Sequence, residues 1–169
     1  MKKIFFSGVI VILSSHIVNA QGEKYRSINY SYTLLVPSNF SKIASTSPNM
    51  DLQFSSTDGS SINIVVRPLT SAFNGKTPHD LTKEMILNMF RKVDPAVKIE
   101  EVGYPVLNGK KSFKYIIVFT PPNEPFTLKQ LQYTFFNDGK SFVLTMSAGI
   151  NFFINHRKNF ISTANSIEF

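Results

Sequence analysis

Apolar and polar residues alternate at period two over several runs of this chain and recur at three- and four-residue steps over two others, which predicts strands interrupted by two helices. Tyr30 to Val36 reads as a strand that Pro37 ends, because proline has no amide to give to a ladder. Met50 to Ser55 and Ser61 to Arg67 are the next two strands, the latter with Ile62, Ile64 and Val66 on one face. Asp58-Gly59 between them suits a tight turn that needs positive φ. Thr77-Pro78-His79-Asp80 then opens a helix, with Thr as cap, Pro at the first position and Asp near the positive end of the dipole. Its apolar stripe runs through Leu81, Met85, Ile86, Met89, Phe90 and Val93, and Pro95 stops it.

Two hairpins follow. Val97 to Leu107 pairs with Lys111 to Phe119 about Asn108-Gly109, and Thr127 to Asn137 pairs with Lys140 to Ala148 about Asp138-Gly139, both turn sequences of the favoured kind. Phe113, Tyr115, Ile117 and Phe119 share one face, and Leu131, Tyr133 and Phe135 match Phe142, Leu144 and Met146. The opposite face is mixed: Ile116 and Val118 are expected there beside Gln130, Gln132, Thr134, Thr145 and Ser147, so it is partly wet or incompletely covered. A closing helix over Asn151 to Asn165 carries Phe153, Ile154, Phe160, Ile161 and Ala164 on its stripe and leads into Ser166-Ile167-Glu168-Phe169, a docked extension or short strand. Ser38 to Ser61 is rich in Ser, Thr and Asn and connects loosely.

The amino terminus changes the compartment. Lys2 and Lys3, an apolar stretch from Ile4 to Leu13, and Val18-Asn19-Ala20 have the order of a secretory signal peptide, and the stretch is too short to span a bilayer. Removing residues 1–20 leaves 149 of 169 residues and takes two lysines from a formal charge of +7, so the mature chain carries +5. Residues 21–28 then read as a flexible arm and residues 29–169 as one domain, long enough to bury a core unaided. The sequence has no Cys, which excludes disulfides, a thiol nucleophile, a thiolate metal site and a lipid-modified cysteine. The expected product is exported, periplasmic or secreted, neither membrane-spanning nor lipid-anchored.

The strand Tyr32-Thr-Leu-Leu-Val-Pro37-Ser-Asn-Phe40, the short strand Ile62 to Arg67, one long helix, the meander Gly109 to Ala148 and the Phe-rich helix before Ser166-Ile167-Glu168-Phe169 together resemble the PsbP-like superfamily. The resemblance implies an α+β fold, a central antiparallel sheet of about six to seven strands with helices packed on it as an α/β/α sandwich. A cystatin-like or cone-shaped α+β fold is the alternative. Members of that superfamily are mostly noncatalytic: photosystem assembly subunits, a nuclear-import factor, bacterial envelope lipoproteins and secretion chaperones. This chain lacks the lipid-anchored Cys of many envelope relatives and has no acidic cofactor or metal motif to carry over, so the resemblance implies no cofactor and assigns no site.

No catalytic constellation stands out from the residues themselves. Gly103-Tyr-Pro-Val-Leu-Asn-Gly109-Lys110-Lys111-Ser112 has five residues between its glycines where a P-loop has four, and reads as a strand and turn. His79 and His156 are distant in sequence, the first in a helical turn and the second beside Arg157 and Lys158 on an expected solvent face, so they make no zinc motif. Glu100 and Glu101 are adjacent on a strand and are expected on opposite faces. Ser147 in Thr145-Met-Ser-Ala-Gly149 lacks the first glycine of a nucleophile elbow.

The expected function is therefore a noncatalytic exported binding or assembly module engaging a protein partner in the envelope or outside the cell. The alternative is a small-ligand or lipid carrier using a pocket on the mixed face. The spread basic excess favours attraction to anionic surfaces, and export argues against nucleic acid. The candidate partner surface joins Lys110, Lys111 and Lys114 of one hairpin to Phe126, which Thr120-Pro-Pro-Asn-Glu-Pro would hold out at small entropic cost. N-terminal sequencing of the exported protein is expected to begin at Gln21, and finding Met1 there would overturn both the compartment and the charge of +5.

Overall fold

A computed structural model of the chain describes residues 22–45 and 47–169. The expected signal peptide and Gln21 lie outside the described residues. The strands and α-helices run in the order β1 (Glu23–Arg26), β2 (Thr33–Val36), β3 (Ser41–Lys42), β4 (Met50–Ser55), β5 (Ser61–Pro68), α1 (Lys83–Phe90), β6 (Lys98–Gly103), β7 (Val106–Leu107), β8 (Lys110–Phe119), β9 (Leu128–Asn137), β10 (Lys140–Gly149) and α2 (Phe153–Asn165). Seven strands form the path β3-β4-β5-β10-β9-β8-β6, and β7 pairs with β8 as the eighth strand of an antiparallel sheet. β1 and β2 form a separate hairpin.

Turn chemistry fixes the meander. Asp138 and Gly139 both take positive φ, 47° and 67°, as do Asn108 and Gly109 at 47° and 78°, which is the backbone of the two-residue turn that matches strand twist. Phe135, Tyr133 and Leu131 stand opposite Phe142, Leu144 and Met146, and those stand opposite Val66, Ile64 and Ile62. All nine are at most 3% exposed. The 13-residue α2, roughly 20 Å long at 1.5 Å per residue, lays Phe153, Phe160 and Ala164 on this face. Tyr32, Leu34 and Val36 of the first hairpin and Ile167 after α2 close the same layer, with Phe169 5.1 Å from the Phe142 ring. The tail is docked through reciprocal backbone bonds between Thr33 and Glu168.

Several expectations are corrected. The supposed flexible arm contains β1, paired in register from Glu23↔Val36 to Arg26↔Thr33. It is held because a register shift between Met50 and Leu52 frees Asp51, whose carboxylate accepts from Ser27 Oγ at 2.7 Å, Asn29 Nδ2 at 2.9 Å and Tyr32 Oη at 2.6 Å. Burial first, then the Asp51 bond, pushes the Tyr32 hydroxyl far above the usual tyrosine range. Thr77 caps only a 3-10 turn, Pro78–Asp80, whose capping box is closed by the Asp80 carboxylate. Leu81 is extended and its carbonyl accepts from Tyr104 Oη at 3.1 Å, so the helix restarts behind a second cap, Thr82, and ends at Phe90. The predicted strand Val97 to Leu107 breaks at Tyr104-Pro105, where proline cannot donate. Asp58-Gly59 lies in a five-residue loop, 56–60, with only Gly59 at positive φ, 81°.

His156 is the largest correction among single residues. It is 7% exposed, stacked 5.5 Å from Phe160 and edge-on to Phe40, and its Nε2 donates to Asp58 Oδ2 at 2.6 Å. The α2 stripe is Phe153, His156, Phe160, Thr163 and Ala164, while Ile154, expected on it, is 71% exposed. Hydrogen bonds from Ser56 and then from His156 hold the Asp58 carboxyl well below the usual carboxylate range.

Phe160→Ala should destabilise the domain by about 3–5 kcal/mol as a deleted buried aromatic. His156→Ala, read from the sequence as neutral, should instead cost about 1–3 kcal/mol for the lost charge-assisted bond and stacking. Denaturant melts decide the ranking. Because Asp58 is depressed in the folded state, its contribution is present above its unfolded pKa of about 4 and fades as pH falls below that. Asp58→Asn should therefore be less stable than the parent at pH 7, with the gap narrowing on acidification below about pH 4. A gap independent of pH would show that Asp58 does not bond as a carboxylate.

Candidate functional site

The second face of the sheet carries the site, and strand register determines what lies on it. Phe113, Tyr115 and Ile117 stand opposite Thr134, Gln132 and Gln130, which in turn stand opposite Val143, Thr145 and Ser147. The expectation that Ile116 belongs with these glutamines is corrected: Ile116 pairs with Leu131 and is buried on the α2 side. Aromatic and polar residues thus share the mixed face. Polar groups on it are satisfied in series, Tyr115 Oη donating to Gln132 Oε1 at 2.5 Å and Gln132 Nε2 to Gln130 Oε1 at 2.6 Å. Burial raises the pKa of the Tyr115 hydroxyl, so it stays a proton donor.

α1 covers this face only at one side. Eight residues give a helix of roughly 12 Å, and Ile86 and Leu87, with Leu81 before it, pack over Phe113, Tyr115, Ile117 and Phe119. Toward β10 and β5 the helix presents Met85 and Met89, 42% and 54% exposed, instead of sealing against the sheet. The result is a groove of about 450 Å³ between these methionines, the Leu69–Phe73 stretch and a floor of Val65, Val143 and Phe136. Its size falls in the usual range of small-molecule sites, roughly 300–1,000 Å³. Among the described residues Arg67 is the one charged side chain on its lining. A hollow of about 480 Å³ between residues 26–33 and the carboxyl terminus is more polar and more open; Arg26, Tyr30, Tyr32 and Glu168 border it, with Tyr32 bonded to Asp51 and Glu168 to Lys24.

The residues singled out in the sequence fall elsewhere. Lys110 donates to Asn137 Oδ1 at 2.7 Å and lies over the Phe169 ring, Lys111 is exposed, and Lys114 is ion-paired with Glu101. Phe126 is 48% exposed beyond the far end of β8, which at about 3.3 Å per residue is roughly 30 Å long, so the lysine turn and Phe126 are not brought together. Phe126 has other company: Ile150, Phe152 and Ile154 are exposed at the same end, where Ile150 N donates to Thr127 O. A register shift between Ile99 and Glu101 turns both Glu100 and Glu101 toward the α2 side, correcting the expectation of opposite faces; they pair with Lys129 and with Lys114 and Arg157. Ser147 is buried in β10, and the glycine-lysine stretch is a strand, a proline corner and a turn. His79 packs 5.6 Å from Tyr104, and His156 is committed to Asp58. Among the described residues no group of three His, Cys, Asp or Glu is placed to hold a metal, and no helix is long and apolar enough to cross a membrane.

The sequence pattern leaves the mixed face incompletely covered, with a pocket there as the alternative reading, but it places Met85 and Met89 on a helix stripe packed against the sheet. A further signal is the width of the apolar stripe: with Leu87, seven of the thirteen residues from Leu81 to Val93 are apolar, more than a short helix can bury on one sheet.

No protein family matches the chain in sequence, and neither does any curated protein. Solved structures do match in shape. Cyanobacterial PsbP from Synechocystis superposes with a TM-score of 0.65 at 16% identity, over 90% of this chain and 95% of its own. A Pseudomonas aeruginosa protein of unknown function, described as a putative regulator, gives 0.55 at 12% identity over 86% and 94%. LpqN, involved in cell envelope biogenesis of Mycobacterium tuberculosis, gives 0.54 at 13% over 81% and 82%. At these identities the likeness is one of fold, and the fold of this chain is PsbP-like α+β rather than the cystatin-like or cone-shaped alternative.

Proposed function

We propose that the chain is a noncatalytic module of the cell envelope or the extracellular space that works by capture, and that the groove beside α1 is its binding site. The observation that carries this reading is the contrast between the groove and the titratable groups. Asp51, Asp58, Glu100, Glu101 and His156 are each spent on bonds that hold the fold together, whereas Met85 and Met89 leave apolar surface open over a preformed floor. The sequence of residues 1–20 supports export, and a PsbP-like fold is shared with a protein involved in envelope biogenesis. Methionine suits a site of this kind because its flexible, polarizable side chain adapts to the shape of the ligand.

A protein partner is the second reading, favoured by the four large apolar side chains exposed at the Phe126 end. Clustered exposed aromatics are the usual anchors of protein interfaces.

The two readings separate on variants that leave the core alone. The double variant Met85→Gln, Met89→Gln should weaken an uncharged alkyl ligand such as decyl maltoside at least fivefold in calorimetric titration, with an unchanged melting temperature, while Phe126→Ala leaves that affinity alone. If neither decyl maltoside nor decyl phosphate binds the parent protein, capture in the groove fails. Crosslinking in the native envelope with a Phe126→Ala variant that dissociates faster would then support the second reading.

A further inference from the structure

We propose that the groove takes a single-chain amphiphile with an anionic headgroup, and that Arg67 reads the headgroup. This deepens the capture reading and rests on the groove being the site. Val65, Val143, Phe136, Phe73, Met85 and Met89 offer an open trough to a hydrocarbon chain, and among the described residues no carboxylate borders it.

Arg67 stands near the end of β5 opposite Ser141, exposed at the rim, and among the described residues it has no carboxylate within ion-pairing distance. The arginines of the helical regions differ, Arg91 pairing with Glu84 and Arg157 with Glu101. One more cation stands near the mouth: Lys76 lies 5.7 Å over the ring of Phe73, a groove residue. Asp80 accepts from Thr77 N at 2.7 Å and Asp138 from Asn137 Nδ2 at 3.0 Å, and neither pairs with Arg67. A planar guanidinium with free donors matches a phosphate or carboxylate bidentately, which a neutral headgroup cannot reproduce. An exposed arginine holds a free anion weakly, so the chain must supply affinity and the head selectivity.

Calorimetric titration of the exported protein with decyl phosphate, hexyl phosphate and decyl maltoside, all below their micelle concentrations, tests the assignment. Decyl phosphate should bind at least tenfold tighter than decyl maltoside. Shortening the chain to hexyl should cost a hundredfold or more, since each buried methylene contributes about fourfold. Arg67→Gln should weaken decyl phosphate at least tenfold and leave decyl maltoside within twofold, whereas Met85→Gln, Met89→Gln should weaken both equally. Equal affinity for both heads, or decyl phosphate unaffected by Arg67→Gln, overturns the headgroup assignment and leaves the groove reading standing. No binding of either decyl ligand overturns both. Adsorption to phosphatidylglycerol vesicles that neither the Met85, Met89 pair nor Arg67→Gln alters would mean that charge attracts a membrane surface without a groove ligand, and would also overturn it.

Discussion

The pairing of β9 with β8 on one side and β10 on the other runs residue for residue through most of each strand, and this ladder decides which side chains can meet. A slip of one residue would exchange Leu131, Tyr133 and Phe135 for Gln130, Gln132 and Thr134 on the α2 side and bury two amides and a hydroxyl in an apolar layer. Positive φ at Asp138 and Gly139 pins the register at its origin. From it follow two unequal faces. One is sealed by α2, the first hairpin and the tail; the other alternates aromatic with polar positions and receives a helix of only eight residues.

Ionisable groups in this fold act chiefly as fasteners between segments far apart in sequence. Asp51 holds the hairpin loop of β1 and β2, Asp58 ties the β4–β5 loop to α2 through His156, and Glu101 joins β6 to Lys114 of β8 and to Arg157 of α2. Asp51 and the Glu100–Glu101 pair depend on register shifts, which release a side chain from strict alternation and aim it at a neighbouring element. Exposed ion pairs contribute little to stability, but one that links α2 to a sheet loop with a buried partner limits how the layer can shift.

Local signals made much of this legible from the sequence. Asn108-Gly109 and Asp138-Gly139 specify their turns whatever surrounds them, and ten-residue strands alternate long enough to be recognised. What escaped the sequence depended on contacts between distant segments. Thr77 and Thr82 are equally good caps, and the choice between them rests on Tyr104, 22 residues after Thr82, taking the Leu81 carbonyl. His156 looked solvent-facing beside Arg157 and Lys158 because its partner, Asp58, is 98 residues away. Residues 23–26 carry two basic residues and a glutamate and look like an arm; only Asp51 and the edge of β2 make them a strand. The mixed face was legible as incompletely covered, but the wall of the groove was not, because Met85 and Met89 obey the helical stripe and are left open by where the helix stops.

That stopping point is set at both ends. The capping box of Thr77 and Asp80 consumes one turn, and Leu81 is held extended before Thr82 begins again, so α1 cannot grow backward over the sheet. Forward growth is blocked at Pro95 and by Asp94, whose carboxylate accepts from Ala96 N at 2.7 Å and Thr120 N at 2.8 Å. A longer helix would offer more apolar surface to Val65 and Val143, whereas these caps spend polar side chains on keeping it short. Beneath α1 Tyr115, Gln132 and Gln130 satisfy one another, and the floor beside it, Val65, Val143 and Phe136, has no polar side chain that needs a partner. An apolar floor that needs no lid, beside a helix held short at both ends, is a preformed trough and costs little to reorganise when a chain enters it.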